Sequence, residues 1–279
     1  MKYSLFIVVL LATRLNAQTK LNFDKRFVQS EDKWVAFSPG KDSAYPYGFI
    51  YIDEQAGLTF NYEGTFKILP SGKLMPKKLD SANMKIRLQP NNVFVAFIPE
   101  DKFQELNISA IPDWLKYYKT DTNSIARLYR WGYMYNGWDE CAKALTYLER
   151  AEKIDPNYKG LAVEISFSYN CLEKYDKAES ILEEEIKNSP ADAYVNKEFI
   201  YTLTKNNKID KAVNQFERSI KTLKDNQYNA ENCYNILQYY YIQKDKANFN
   251  KWYTVFQNQP NENKSITHYA DAMKIEINK

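Results

Sequence analysis

Two different hydrophobic periods divide the chain. Between residues 20 and 99, apolar and polar residues alternate, as they do along strands with one buried face. From about residue 112 onward, apolar residues recur at helical spacing instead. We therefore predict an α+β protein, with a small antiparallel β domain over residues 18–110 and a helical domain over residues 111–279.

The β domain contains five or six short apolar stretches separated by turn residues. Met84, Ile86 and Leu88 alternate with two cations, which predicts a strand with one buried face. A five-residue loop at 53–57 ends in Gly57, which suits a hairpin. We expect a small sandwich or an open barrel. The predicted strands are 33–37, 47–52, 58–62, 65–69, 84–88 and 93–98.

Large aromatic and very small residues occur together between residues 127 and 156. They could line a ligand-binding site, or they could pack two helices of a repeat against each other. The repeat interpretation is favoured because Pro156 and Pro190 are 34 residues apart. Gly132 and Ala144 would let two helices approach closely, and Pro156 would end the second helix. The same offset aligns Gly132 with Ser166, Tyr135 with Tyr169, Ala144 with Ala178 and Leu148 with Leu182.

Four helical units and a final helix follow from this period. The first two units are the clearest, whereas the third has Lys224 where a proline belongs. Pro260 lies 36 residues beyond Lys224, which predicts an insertion of two residues at 224–228. The terminal helix would cover the last exposed face, as stacked repeats require. The predicted units are 125–158, 159–192, 193–228 and 229–262, with a capping helix at 263–279.

This spacing and these residue types resemble the tetratricopeptide repeat, a helix–turn–helix unit of 34 residues. The resemblance implies an α-α superhelical solenoid with a groove lined by the first helix of each unit. It also implies a protein or peptide partner, although many of these tyrosines could pack between repeats instead. The implied groove is aromatic with little charge: Tyr129, Tyr133, Asn136, Val163, Phe167, Asn170, Tyr194, Lys197, Tyr201, Cys233, Leu237, Tyr240 and Tyr241.

Some members of the family clamp a terminal carboxylate with several Lys, Arg and Asn residues. Only Asn136, Asn170 and Lys197 match that set here, so the clamp is not expected. A tyrosine-rich surface is typical of binding hot spots. The expected function is therefore a non-catalytic scaffold or adaptor.

Residues 1–17 have the features of an export signal. Lys2 precedes an apolar run at 5–12, and Ala17 precedes the expected cut before Gln18. The run is shorter than the roughly 20 residues of a membrane-spanning helix. Removing the signal lowers the net charge from +3 to +1, because Lys2 and Arg14 are lost. The protein is therefore expected to be exported and, because it is nearly neutral, to lack affinity for nucleic acid. The resemblance to exported tetratricopeptide-repeat proteins of Gram-negative bacteria implies that it is periplasmic or secreted.

The three cysteines form no metal-binding pattern. Small buried residues are the favoured interpretation for all three, with a disulfide between Cys141 and Cys171 as the minor alternative. No cofactor is expected.

Catalysis has few candidate residues in this chain. His268 is the single histidine, and it is expected at the surface of the last helix. One alternative is an envelope hydrolase using Asp53, Glu54 and Asp32 in the β domain. Another is a structural subunit that pairs through an exposed edge strand at 33–37 or 93–98.

Overall fold

The computed structural model describes residues 20–79, 84–260 and 263–279. It confirms the α+β class, and the chain divides into two compact units between Thr120 and Asp121. The predicted boundary at 110/111 is ten residues too early, because a 3-10 segment at Asp113–Tyr118 belongs to the first unit. Leu115 of that segment packs into the core of the sheet. The predicted signal at 1–17 lies outside the described residues.

The first unit has one antiparallel sheet of seven strands among its described residues. The strand order is β1-β7-β2-β3-β4-β5, and β6 also pairs with β4. A sandwich needs a second sheet, so that alternative is wrong for the described residues. The strands are β1 (Lys25–Arg26), β2 (Lys33–Ala36), β3 (Tyr45–Asp53), β4 (Gly57–Ile68), β5 (Leu74–Lys78), β6 (Met84–Arg87) and β7 (Phe94–Phe97).

The predicted strands at 58–62 and 65–69 are one strand, β4. It stays continuous because its pairing with β3 shifts at Tyr47/Gly48, opposite Gly64. Gly64 has φ +148°, and a Cβ there would lie 2.3 Å from the carbonyl oxygen of Lys77. Glycine therefore lets the strand pass this irregularity without a break. The sequence pattern missed β5, which has Pro76 and two lysines in its five residues.

Both faces of the central strand β3 are buried. Tyr47, Phe49 and Tyr51 face a core that includes Leu106 and Leu115 from the segment after the sheet. The prediction of a buried face on β6 is wrong, because its two apolar side chains, Met84 and Ile86, are 47% and 44% exposed. Among the described strands, β6 pairs only with β4, and it lies at the margin of the sheet.

The second unit is helical throughout its described residues. Each helix contacts the next, and α1, α3, α5, α7 and α9 also contact one another in series. The predicted helix pairs are thus present. The helices are α1 (Ile125–Gly137), α2 (Cys141–Glu152), α3 (Leu161–Cys171), α4 (Tyr175–Asn188), α5 (Ala193–Lys205), α6 (Ile209–Thr222), α7 (Asn229–Ile242), α8 (Lys246–Gln257) and α9 (Lys264–Ile277).

The aromatic and small residues of the first helical repeat pack between α1 and α2. A Cβ on Gly132 would lie only 2.3 Å from Cγ of Leu148, so glycine is what permits the close approach. Tyr135 and Ala144 are fully buried at the same contact, and Trp131 is 6% exposed. Trp131, Gly132, Tyr135 and Ala144 are therefore core residues, as the helical-repeat interpretation predicts.

A left-handed residue stands in the turn inside each helix pair. These residues are Asp139, Glu173, Asn207 and Lys244, with φ between 56° and 58°. Their spacings are 34, 34 and 37 residues, which confirms the period for the first three units. The insertion before the fourth turn is three residues rather than the predicted two. Positions in α7 consequently match those in α5 at an offset of 37.

Candidate functional site

A buried polar network joins the first helices of units one and two. The amide nitrogen of Asn136 donates to the backbone oxygen and to Oε2 of Glu164, both at 2.9 Å. Ser168 Oγ donates to Asn136 Oδ1 at 2.7 Å. All three side chains are at least 97% buried. The network satisfies polar groups that would be costly to bury alone.

The same network recurs 34 residues later, between α3 and α5. Asn170 Nδ2 donates to Glu198 Oε2 at 3.1 Å, and Thr202 Oγ1 donates to Asn170 Oδ1 at 2.9 Å. Asn136 and Asn170 were predicted to contact a partner, but they are only 3% and 4% exposed. Both amides are used to hold adjacent repeats together, so they are not partner contacts.

The network stops at the third interface, between α5 and α7. Thr204 takes the place of the asparagine and bonds to the backbone oxygen of Tyr201 at 2.7 Å. Asn235 takes the place of the glutamate, and its Nδ2 is buried without a partner. The shorter Thr204 leaves a cavity of about 120 Å³, lined by Thr204, Lys205, Asn207, Asn235, Gln238, Tyr239, Ile242 and Gln243. Its volume and polar lining suit several water molecules.

The predicted groove residues differ widely in exposure. Tyr133 is 58% exposed, whereas Leu237 and Cys233 are fully buried and Val163 is 5% exposed. Leu237 belongs to the helical core because the offset at α7 is 37. Its prediction as a partner contact is wrong. Half-buried side chains are Tyr129, Phe167, Tyr194, Lys197, Tyr201, Tyr240 and Tyr241.

We call Tyr129, Tyr133, Phe167, Tyr194, Lys197 and Tyr201 the first-helix surface. The surface carries more charge than the sequence indicated. Lys197 Nζ lies 2.9 Å from Oε1 of Glu198 and 3.3 Å from Oε1 of Glu231. Two carboxylates hold the lysine charge in place, against the cost of its partial burial. Their attraction raises the pKa of Lys197, although burial acts in the opposite direction.

Tyrosine rings flank these charges. Tyr194 and Tyr228 have ring centroids 6.0 Å apart, and Lys197 Nζ lies 5.3 Å and 5.7 Å from the two rings. The rings of Tyr129 and Tyr158 pack in a tilted geometry, with centroids 5.3 Å apart. These distances are within the range of cation–π and aromatic pair contacts.

Glu164 is a buried acid at the base of this surface. Burial is the largest cause of its raised pKa, which reaches about 7. The hydrogen bond from Asn136 lowers the pKa, the charge of Glu198 raises it, and Tyr194 and Lys197 lower it further. Glu164 therefore gains or loses its proton near neutral pH. The helical pattern alone did not single out this residue, although its spacing from Glu198 is 34.

Cys141 and Cys171 form a disulfide, with Cα atoms 6.3 Å apart. The favoured prediction of three buried thiols is thus wrong, and the minor alternative is confirmed. The bridge joins the start of α2 to the end of α3, so it links the first helical repeat to the second. Cys233 is buried and free, and burial raises the pKa of its thiol.

The acids suggested for a hydrolase have structural contacts. Asp53 Oδ1 accepts from the backbone nitrogens of Gln55 and Ala56, which stabilises the hairpin turn. Asp32 Oδ2 lies 2.8 Å from Lys119 Nζ. Across the described ranges, no group of three or more metal-ligating side chains comes together. No helix in the described part of the chain has the length and apolarity needed to cross a bilayer.

Comparison with known proteins gives likenesses only among solved structures. No family model matches the sequence, and no curated protein matches it at a significant level. MamA of MSR-1 shares 16% identity over 58% of this chain and 83% of its own, with a TM-score of 0.41. MamA of AMB-1 shares 16% identity over 52% and 84%, with a TM-score of 0.42.

A TPR repeats protein (BF2334) from Bacteroides fragilis shares 18% identity over 59% of this chain and 76% of its own, with a TM-score of 0.28. The chain's own geometry is more informative than these distant likenesses. Its successive helix pairs contact their neighbours in order, and the turns of the first three lie 34 residues apart. In its helix pairs and its 34-residue period, the helical unit resembles the tetratricopeptide repeat.

Proposed function

We propose that this protein is a non-catalytic scaffold or adaptor that binds a segment of a partner protein along its first-helix surface. The observation that carries the proposal is the run of partly exposed aromatic side chains on α1, α3 and α5, of which Tyr133 is the most exposed. Aromatic side chains supply large contact area at low entropic cost and are enriched at binding hot spots.

The repeat architecture supports a continuous surface of this kind. The first helices contact one another in series, and the buried asparagine network fixes the spacing of the first three. We infer that the units stack as a superhelical solenoid, whose first helices line its concave side. A rigid surface of repeated side chains suits an extended segment of a partner.

We also propose that the protein is exported to the periplasm or beyond the cell. The signal-like pattern at 1–17 and the Cys141–Cys171 disulfide support this location, because structural disulfides persist in oxidising compartments. Expression in a Gram-negative host, followed by N-terminal sequencing of the product, tests the proposal. A mature chain that begins at Gln18 is expected, and full-length protein retained in the cytoplasm would contradict it.

Binding can be tested with two matched variants. The immobilised mature protein captures partners from an envelope extract, and one captured protein is then purified and titrated. Tyr133→Ala/Tyr201→Ala should weaken its binding at least tenfold, about 1.4 kcal/mol, by removing two aromatic contacts. Tyr269→Ala is the control, because Tyr269 is 57% exposed on the terminal helix. Equal affinities for all three proteins would refute the proposed surface.

Neither alternative function gains an observation in its favour. The strands predicted as exposed edges, β2 and β7, both lie inside the sheet order. The acids Asp53 and Asp32 serve a turn and an ion pair. The binding proposal therefore stands as the single candidate.

A further inference from the structure

One unit of the helical domain contains a cation site that is filled by the chain itself. Glu198 is 2% exposed, and its Oε1 holds the ammonium of Lys197 at 2.9 Å. The rings of Tyr194 and Tyr228 lie 5.3 Å and 5.7 Å from that ammonium. A buried carboxylate and two aromatic rings thus enclose one positive charge.

The preceding unit repeats this frame without a lysine of its own. Glu164 lies 34 residues before Glu198 and has the same asparagine donor and the same hydroxyl neighbour. Val163 occupies the position that corresponds to Lys197, 34 residues earlier. Lys197 forms ion pairs with Glu198 and Glu231, and within the described part of the chain no lysine or arginine forms an ion pair with Glu164.

The aromatic part of the frame is also present around Glu164. Tyr194 supplies one ring, and its hydroxyl hydrogen-bonds to Glu164. The position matching Tyr194 is Gly160, where a Cβ would lie 2.7 Å from the hydroxyl of Tyr129. Tyr129 therefore enters that space from α1. Tyr133 lies near enough to interact electrostatically with both Tyr129 and Tyr194.

The electrostatic surroundings of Glu164 favour an added positive charge. Tyr129, Tyr194 and Glu198 face it, and all would carry negative or no charge. Lys197 acts on Glu164 as a cation, but it is already paired with two other carboxylates. A buried carboxylate without its own counter-ion is stabilised by proton uptake or by a cation brought from outside.

We propose that a lysine or arginine side chain of the bound partner segment sits over Glu164, between Tyr129, Tyr133 and Tyr194. The incoming charge takes the role that Lys197 has at Glu198 in the next unit. This inference rests on the proposed function, and it specifies the chemistry of the partner: a segment with a basic residue that enters among these tyrosines.

Small blocked amino acids can test the site directly. N-acetyl-lysine methylamide is the probe, and N-acetyl-norleucine methylamide is its uncharged counterpart of similar shape. Both are titrated into the full mature protein at pH 8 and followed by NMR of side-chain carboxyl-labelled glutamate. The lysine probe should bind at least tenfold more tightly than the norleucine probe, and it should move the Glu164 signal.

Two variants distinguish this site from general surface attraction. Glu164→Gln keeps the side-chain shape and should lower lysine-probe affinity at least tenfold. Val163→Lys copies the arrangement of Lys197 and should abolish lysine-probe binding by filling the site from within. Far-UV circular dichroism checks that each variant is folded. If Val163→Lys does not fold, Glu164→Gln alone decides the question.

Equal affinity of the two probes for the wild-type protein would overturn the cation site. So would unchanged lysine-probe binding by Glu164→Gln. Either result leaves the proposed function standing if the captured partner still depends on Tyr133 and Tyr201. Loss of that dependence, by contrast, removes the proposed function itself.

Discussion

Replacing Glu164 with glutamine should change how stability depends on pH. Burial, partly offset by the Asn136 hydrogen bond, raises the pKa of Glu164 from 4.5 to about 7 in the folded protein. The folded state therefore holds the proton more tightly than the unfolded state does. Between these two pKa values the native protein binds more protons, so the free energy of unfolding must fall as pH rises.

The size of the effect follows from the two pKa values. The stabilisation by protonated Glu164 is fully present below pH 4.5 and is lost as pH rises through about 7. The difference corresponds to roughly 3 kcal/mol. Glutamine cannot ionise, and its amide can keep a polar contact in the same space. We expect Glu164→Gln to be more stable than wild type at pH 8 by up to roughly 3 kcal/mol, with the advantage disappearing near pH 4.

Urea unfolding followed at 222 nm from pH 4 to pH 8.5 measures this difference. Other acids affect wild type and variant alike, so the difference between the two curves isolates Glu164. Glu198→Gln is the matched control, because it removes the partner of Lys197 instead. It should destabilise the helical unit at neutral pH by about 1–3 kcal/mol. A Glu164→Gln advantage that does not vary with pH would refute the buried, proton-holding carboxylate.

Three further changes test the repeat contacts by urea unfolding. Reducing the Cys141–Cys171 disulfide, which spans 30 residues, should cost about 3–4 kcal/mol, and an unchanged midpoint would contradict its structural role. Gly132→Ala should destabilise by about 1–3 kcal/mol, because the added Cβ would clash with Leu148. Gly137→Ala should be nearly neutral, because a Cβ there would meet no atom of a neighbouring element within 4 Å. Similar losses of stability in the two variants would contradict the close contact between α1 and α2. Lys244→Gly should stabilise by about 1 kcal/mol because φ is +56°, and destabilisation would argue against that turn conformation.

The fold was largely predictable because it depends on residues that repeat in step. The 34-residue offset located the helix pairs, and Gly132 marked the close contact between α1 and α2. Hydrophobic alternation found β2, β3, β6 and β7 within a residue or two at most ends. The alternation failed on the burial of Met84 and Ile86, because it cannot tell a marginal strand from a covered one.

The candidate site was harder to predict because polar residues at the spacing of groove positions can instead be buried between adjacent repeats. Asn136 and Asn170 have the spacing of groove residues, but their amides are buried between neighbouring helices. The acid that matters, Glu164, follows Asn136 by 28 residues, as Glu198 follows Asn170. That paired spacing was present in the sequence. Its meaning required knowing that the first helices of adjacent units touch.

The error at α7 has a similar origin. Proline spacing gave an insertion of two residues, whereas the left-handed turn at Lys244 gives three. A shift of one residue rotates a helix by about 100°, so it moved Leu237 from the core to the predicted groove. The spacing of the prolines does not determine which face of a helix is buried, whereas the position of the turn inside each helix pair does.

Photo-crosslinking from the first-helix surface tests the central proposal most directly. Benzoylphenylalanine is introduced at Tyr133 or, as the control, at Tyr269, which has nearly the same exposure. Both proteins are irradiated in the native host, and the products are separated and sequenced by mass spectrometry. A specific protein adduct from position 133 and none from position 269 is the expected result. Adducts from position 269 alone, or from neither position while the protein is folded and abundant, would contradict partner binding at this surface.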